Sequence, residues 1–471
     1  MSSDQSTRIS LFSLFSFFKQ AVKGEERDYT TGSIRKAVFM LAIPMILEMI
    51  MESVFAVVDI FFVGRLGKEA ISTVGLTESV LTLVYSIAIG LSMAATAMVA
   101  RRIGEKNPEE AGKAGMQAVI LSLIVTLIIS AAGVFFAKDI LILMGASPEV
   151  VAAGHPYTRI LFGGSIVIIL LFLINGIFRG AGDASIAMRS LWIANICNII
   201  LCPTLIYGIG NWPGFGLTGA ALATTTGRGI GVCYQLIHLF SGKRIIKIRR
   251  KHFIPDWKII SSLFRISWTA TLQFLIASAS WIVLTKIMSR FGSAAIAGYT
   301  VAMRVIMFFI LPAWGMSNAA ATLVGQNLGA RLPERAEQSV WKTAKYNAIF
   351  MTIVSLIFLL CSEQIIMLMN SDKEVEKIAT QALRIISLGY IFYGVGMVIT
   401  SSFNGAGDSK TPTWINLFGF WTLQIPLAYL LAITWELGPK GIFFAIIIAE
   451  AIITIAGIII FRKGRWKYVK V

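Results

Sequence analysis

The chain has 471 residues, of which 56% are hydrophobic and only 14% charged, with a formal net charge of +17. A soluble domain carries roughly 25% charged residues, so composition excludes an ordinary soluble protein and points to one that crosses a membrane many times. The positive charge lies in loops between apolar runs rather than on one face, which excludes nucleic acid as the partner.

Residues 1–36 read as a cytoplasmic N-terminal tail. Within it, 9–18 (Ile-Ser-Leu-Phe-Ser-Leu-Phe-Ser-Phe-Phe) has the look of a short signal core. No small-residue cleavage site follows, which favours an interfacial or disordered tail. Twelve apolar spans are then predicted: 37–64, 72–100, 115–137, 155–178, 186–207, 217–240, 262–288, 295–325, 343–362, 381–403, 412–434 and 441–461. Each is long enough for about 30 Å of hydrocarbon.

The first span carries three carboxylates, Glu48, Glu52 and Asp59. At about 100° per residue they share a roughly 40° arc of one helical face. An acid in hydrocarbon costs several kcal/mol, so the stripe faces a cavity or a partner. Lys286 and Arg304 are candidate buried partners. Asp59 lies six residues before Arg65, roughly 9 Å along the axis, in the outer half of the bilayer. Pro44 removes a backbone donor and can kink this helix; Pro203, Pro312 and Pro426 are further candidate bends.

Loops after even-numbered spans are basic, with Arg101, Arg102, Lys106 and Lys113, then Arg331, Arg335, Lys342 and Lys345. The opposite loops, such as 207–216, are nearly free of Lys and Arg. This asymmetry puts both termini in the cytoplasm. Residues 242–261 form a basic linker between an N-lobe at 37–241 and a C-lobe at 262–462, and 463–471 is a basic tail. Cys197, Cys202, Cys233 and Cys361 all fall inside spans and make neither a disulfide framework nor a metal site.

The second half repeats the first. From Gly67 and Gly292 to Asp183 and Asp408, residues match partners 225 positions later (292 − 67) without a gap. Ser92, Ala94, Ala95, Val99 and Gly104 pair with Ser317, Ala319, Ala320, Val324 and Gly329. Gly180-Ala181-Gly182-Asp183 pairs with Gly405-Ala406-Gly407-Asp408, each a turn with Asp as a cap. Six spans per repeat is an even number, so the repeats are parallel and related by an axis along the membrane normal. The expected fold is all-α, with twelve transmembrane helices in two six-helix lobes. There is no phosphate loop, nucleophile elbow or metal-ligand spacing. The chain therefore reads as no enzyme and as needing no cofactor; transport would be driven by a gradient or by another subunit.

The sequence resembles the multidrug and toxic compound extrusion (MATE) family of secondary transporters. The likeness rests on Ala42-Ile43-Pro44, Val57-Val58-Asp59 with Phe62-Val63-Gly64, Arg179-Gly180-Ala181-Gly182-Asp183, Asn195-Ile196-Cys197-Asn198, Val324-Gly325-Gln326-Asn327-Leu328-Gly329 and Asn404-Gly405-Ala406-Gly407-Asp408. It implies a V-shaped pair of lobes, alternating access, and export of cationic amphipathic compounds in exchange for H⁺ or Na⁺. In the DinF-like branch the coupling acid falls on Asp59 and the bending proline on Pro44. The associated polar residues fall on Asn175, Asn198 and Thr224. Cys202 replaces a second carboxylate that the family often has, and the seventh span lacks the acid of the NorM-like branch. These departures favour DinF-like coupling in the N-lobe, by H⁺ rather than Na⁺, with Asp59 within reach of Asn175 or Asn198. Glu48 and Glu52 are expected to shape the substrate cavity. A flippase for lipid-linked oligosaccharide or peptidoglycan precursors is the alternative of the same broader fold. The expected setting is a bacterial inner membrane, among lipids, as a monomer.

Overall fold

A computed structural model of the chain describes residues 11–24, 29–242, 244–369 and 372–471. The described part is helical. Helix α1 (Leu11–Lys23) precedes the first repeat, which comprises α2 (Ile34–Val63), α3 (Lys68–Gly104), α4 (Pro108–Phe135), α5 (Ala137–Leu143), α6 (Pro148–Gly163), α7 (Ser165–Ala181), α8 (Ala184–Tyr207) and α9 (Leu217–Phe240). The second repeat comprises α10 (Trp257–Met288), α11 (Ser293–Gly329), α12 (Pro333–Met367), α13 (Lys373–Ser387), α14 (Tyr390–Ala406), α15 (Lys410–Asn416), α16 (Ile425–Tyr429) and α17 (Pro439–Arg462).

These helices make twelve spans in two six-helix lobes, α2–α9 and α10–α17. Among the described residues, nine helical segments are long and apolar enough to cross a membrane, and α13 with α14, bent by 57°, make a tenth. The remaining two are α2 and α9, of 30 and 24 residues. They carry the buried charges Glu48, Asp59 and Arg228.

Sequence chemistry sets the helix ends. Asn107 and Ser147 accept from the backbone N–H groups of Glu110 and Val150, and Pro108 and Pro148 follow them at positions where no donor is needed. The repeated Gly-Ala-Gly-Asp turn is a left-handed helix stop. Gly182 and Gly407 have φ of 89° and 86°, and the next N–H reaches back to Phe178 and Phe403 at 2.9 Å in both copies. The two aspartates then differ. Asp408 caps the following helix through the N–H of Thr411 at 3.2 Å, as expected. Asp183 makes no such cap; it accepts from Ser185 and pairs with Arg244 of the interlobe link at 3.1 Å. Helices α2, α8 and α11 run unbroken through Pro44, Pro203 and Pro312. Pro426 lies between two π-helical stretches, 417–424 and 430–434, where its missing donor is accommodated by a wider turn.

The lobes meet along α3 with α10 and α11 and along α2 with α11, and they approach most closely where α3 and α11 end. A Cβ on Gly104 would lie 1.9 Å from the Gln326 carbonyl oxygen, and one on Gly329 would lie 2.1 Å from that of Arg101. Only glycine permits this approach, and it occurs twice because the two contacts are repeat partners. Around it, Thr322 and Gln326 donate to the carbonyls of Arg179 and Gly180 at 3.1 and 3.0 Å. Arg101 donates to Ala406 and Val469, the latter at 2.8 Å. The last residues thus strap the seam between the lobes, and Trp466 is buried against Phe461 at 4.6 Å.

Candidate functional site

The acidic face of α2 points into the N-lobe. Glu48 and Asp59 are 1% and 8% exposed. Eleven residues separate them, about 16 Å along a helix, so no single residue serves both. The structure accordingly divides the polar residues into three levels.

At the first level Glu48 accepts from Asn175 Nδ2 at 2.9 Å and lies 3.8 Å from Arg179. Asn175 Oδ1 accepts from Ser190 at 3.0 Å and Gln235 at 2.5 Å, while Arg179 also donates to Ser92 at 3.1 Å. At the second level Glu52 pairs with Arg228 of α9 at 2.9 Å. That side chain is 1% exposed, and its guanidinium lies 5.1 Å from the Phe55 ring and 5.8 Å from that of Tyr85. Two of its nitrogens and Glu52 Oε2 have no partner among the described residues.

At the third level Asp59 meets the Cys202 thiol, which donates to Oδ1 at 3.8 Å. One turn back on α8, Asn198 donates to Thr224 at 3.1 Å. Helices α2 and α8 run parallel, and four contacts fix their register. Trp192 donates to the Leu47 carbonyl, Asn195 to that of Met51, Cys202 to Asp59, and Tyr207 to the Phe62 carbonyl. Cys202 therefore stands opposite Asp59, and Asn198 lies a turn too early to reach it.

The expected contact of Asp59 with Asn175 or Asn198 is thus replaced by two separate pairs, Asp59 with Cys202 and Glu48 with Asn175. Lys286 and Arg304 make no ion pair with the acidic stripe among the described residues; Arg179 and Arg228 take that part. Arg228 was passed over in Thr224-Thr225-Thr226-Gly227-Arg228, although an arginine inside a predicted span is itself the signal of a buried partner. Sequence reading also passed over Glu450 of α17, buried and hydrogen-bonded to Tyr393. Alignment of Gly216-x-x-Gly219 with Gly438-x-x-Gly441 sets Glu450 opposite Arg228, each twelve residues past the first glycine (228 − 216; 450 − 438). The lobes carry opposite charges at equivalent places. No group of three or more potential metal ligands forms among the described residues.

Between the lobes lies a narrow cavity of about 40 Å³, lined on one side by Met49, Ile89, Met93 and Arg179 and on the other by Trp314, Asn318, Ser401 and Asn404.

The MatE family model matches the chain twice, over residues 44–204 and 270–430, one match per lobe. The chain is 25% identical over 453 residues to the probable multidrug resistance protein NorM of Thermotoga maritima, covering 96% of this chain and 97% of that protein. It is 26% identical over 431 residues to the FAD transporter of Shewanella oneidensis, covering 90% and 94%. The solved outward-facing conformation of a multidrug resistance MATE family transporter superposes with a TM-score of 0.89 at 27% identity, covering 94% and 99%. Twelve spans, a parallel repeat with buried charge inside its lobes, and a family model that fits each half lead to one conclusion: the chain belongs to the MatE family of membrane transporters.

Proposed function

We propose that this transporter is a secondary multidrug efflux antiporter, exporting cationic amphipathic compounds in exchange for H⁺. The observation that carries the reading is Asp59. Glu48 and Glu52 each face a guanidinium, whereas Asp59 is buried in the N-lobe with a neutral thiol as its one hydrogen-bond partner among the described residues. An acid kept in the membrane interior without an ion pair is the expected form of a site that binds and releases a cation. Thiol sulfur is a poor ligand for Na⁺, which wants several hard oxygens, so the Asp59–Cys202 pair suits a proton, with Na⁺ as the alternative.

In this reading Asn198 and Thr224 set the polar surroundings of Asp59, and Asn175 organises Glu48. The arrangement is DinF-like, and Pro44 lets α2 bend as the site changes state. Relatives named for multidrug resistance support the cargo class. The flippase alternative is disfavoured because the cavity's basic residue, Arg179, is matched by Glu48. Lobes at 37–241 and 262–462, tails at 1–36 and 463–471 and the link 242–261 on the cytoplasmic side, and a monomer in a bacterial inner membrane complete the proposal. The test is a drug-susceptibility panel in an efflux-deficient host. Wild type should confer resistance to cationic drugs, and Asp59→Asn, reaching the membrane in equal amount, should not. Equal resistance from both refutes it.

A further inference from the structure

The cavity between the lobes straddles the repeat axis. Ile89 and Trp314, Met93 and Asn318, Thr96 and Ala321, and Arg179 and Asn404 are repeat partners at the offset of 225, and all line it. Beside them the partners Gly90 and Gly315, Ala94 and Ala319, Ala95 and Ala320, and Val99 and Val324 are identical. The shared residues carry the packing of α3 and α11. Four pairs that face the cavity, Ile89 with Trp314, Met93 with Asn318, Thr96 with Ala321 and Arg179 with Asn404, differ in kind.

One wall is mostly apolar, with the hydroxyls of Ser92 and Thr96 and a single cation, Arg179, which Glu48 and Ser92 already engage. The opposite wall has an indole and two amides and no charge. Asn404 is 2% exposed, and neither its oxygen nor its nitrogen has a partner among the described residues. A buried amide left unpaired on both atoms is costly. Trp314 and Asn318 lie one helical turn apart on α11, and Ser401 and Asn404 lie three residues apart on α14, so each pair shares a helix face, and all four line the cavity. A slot of about 40 Å³ is too small for a drug-sized molecule. It admits the rim of a planar ring whose body occupies the cleft as the lobes part.

We propose that the C-lobe wall of this cavity, with Asn404 as its main polar contact, is a neutral hydrogen-bonding subsite that takes an uncharged donor or acceptor edge of an aromatic cargo stacked on Trp314. This deepens the efflux reading by separating two tasks. Ion coupling lies in the N-lobe, and recognition of the cargo's uncharged polar edge lies on the C-lobe wall.

The test is equilibrium binding to the purified full chain in detergent, with three probes. Ethidium is a planar cation with aryl amines. N-methylphenanthridinium is a planar cation without them. Lumichrome is neutral with lactam edges. Asn404→Leu should lower affinity for ethidium and lumichrome about tenfold and change that for N-methylphenanthridinium less than about twofold. The Tm should hold or rise, because an unpaired amide gives way to an apolar group of similar size. Asn318→Met, which copies the opposite wall, should show the same selectivity. Equal loss for all three probes with a lowered Tm would mark Asn404 as a packing residue, and unchanged affinity for ethidium and lumichrome would also overturn the subsite. Lumichrome carries no charge, so its response judges the subsite even if no cation proves to be cargo.

Discussion

Glu52, half-buried, and Arg228, fully buried, form a pair in which the carboxylate is the main reason the guanidinium is tolerated. Removing one partner leaves an uncompensated charge and costs about 3–5 kcal/mol, whereas removing both is often neutral. Arg228→Met should therefore lower the Tm strongly, and Glu52→Gln combined with Arg228→Met should recover most of it, as read by thermal unfolding in detergent. At Asp59 the informative neighbour is Cys202. Cys202→Asp would put a second carboxylate against Asp59, giving a pocket with more hard oxygen ligands. Export by that variant should become stimulated by Na⁺, while wild type stays indifferent. The acidic stripe itself was legible in the sequence, because three acids on one face of a membrane helix are too costly to keep unless they meet a cavity or a partner. Its partners were not legible. Which side chain meets Asp59 depends on the parallel register of α2 and α8, and no local pattern encodes that register.

At the scale of elements, the repeat and the twelve spans were readable, since apolar length and a gapless 225-residue offset are properties of the chain itself. Prolines were poorer guides. Three of the four candidate bends lie in continuous helices, because a missing N–H can be absorbed within a helix by its neighbours. The interlobe link carries its own switch. Asp256 caps α10 and accepts from Lys113 at 2.7 Å, and that hydrogen bond, with the cap, holds its carboxyl below the usual carboxylate range. A depressed carboxyl pKa stabilises above the group's ordinary value and ceases to do so as pH falls through the lowered one. Gln117 of α4 donates to the carbonyls of His252 and Ile254 in the link and accepts from the Asp256 N–H. The hydrogen-exchange protection factors of this stretch, corrected for intrinsic rates, should fall below about pH 4 in wild type. In Asp256→Asn they should be lower at neutral pH and nearly flat with pH. The pair is half-buried and confined to the contact of the link with α4, so the effect should be local rather than global.

For the molecule as a whole, the proposed alternating-access cycle would have to break and re-form the seam of Gly104 and Gly329. A side chain there collides with backbone rather than with a flexible tip. Gly329→Val should insert and fold but destabilise this closed arrangement by about 1–3 kcal/mol, increasing the labelling of a cysteine placed at the seam and reducing export. Normal labelling and export would mean that the seam is loose in the working protein. The central claim, that Asp59 couples export to an ion, is tested most directly in proteoliposomes holding a fluorescent cationic drug. A pH gradient imposed at equal Na⁺ should drive transport by wild type and fail to drive it in Asp59→Asn, while a Na⁺ gradient at equal pH drives neither. Transport driven by Na⁺ alone, or pH-driven transport that survives in Asp59→Asn, contradicts it.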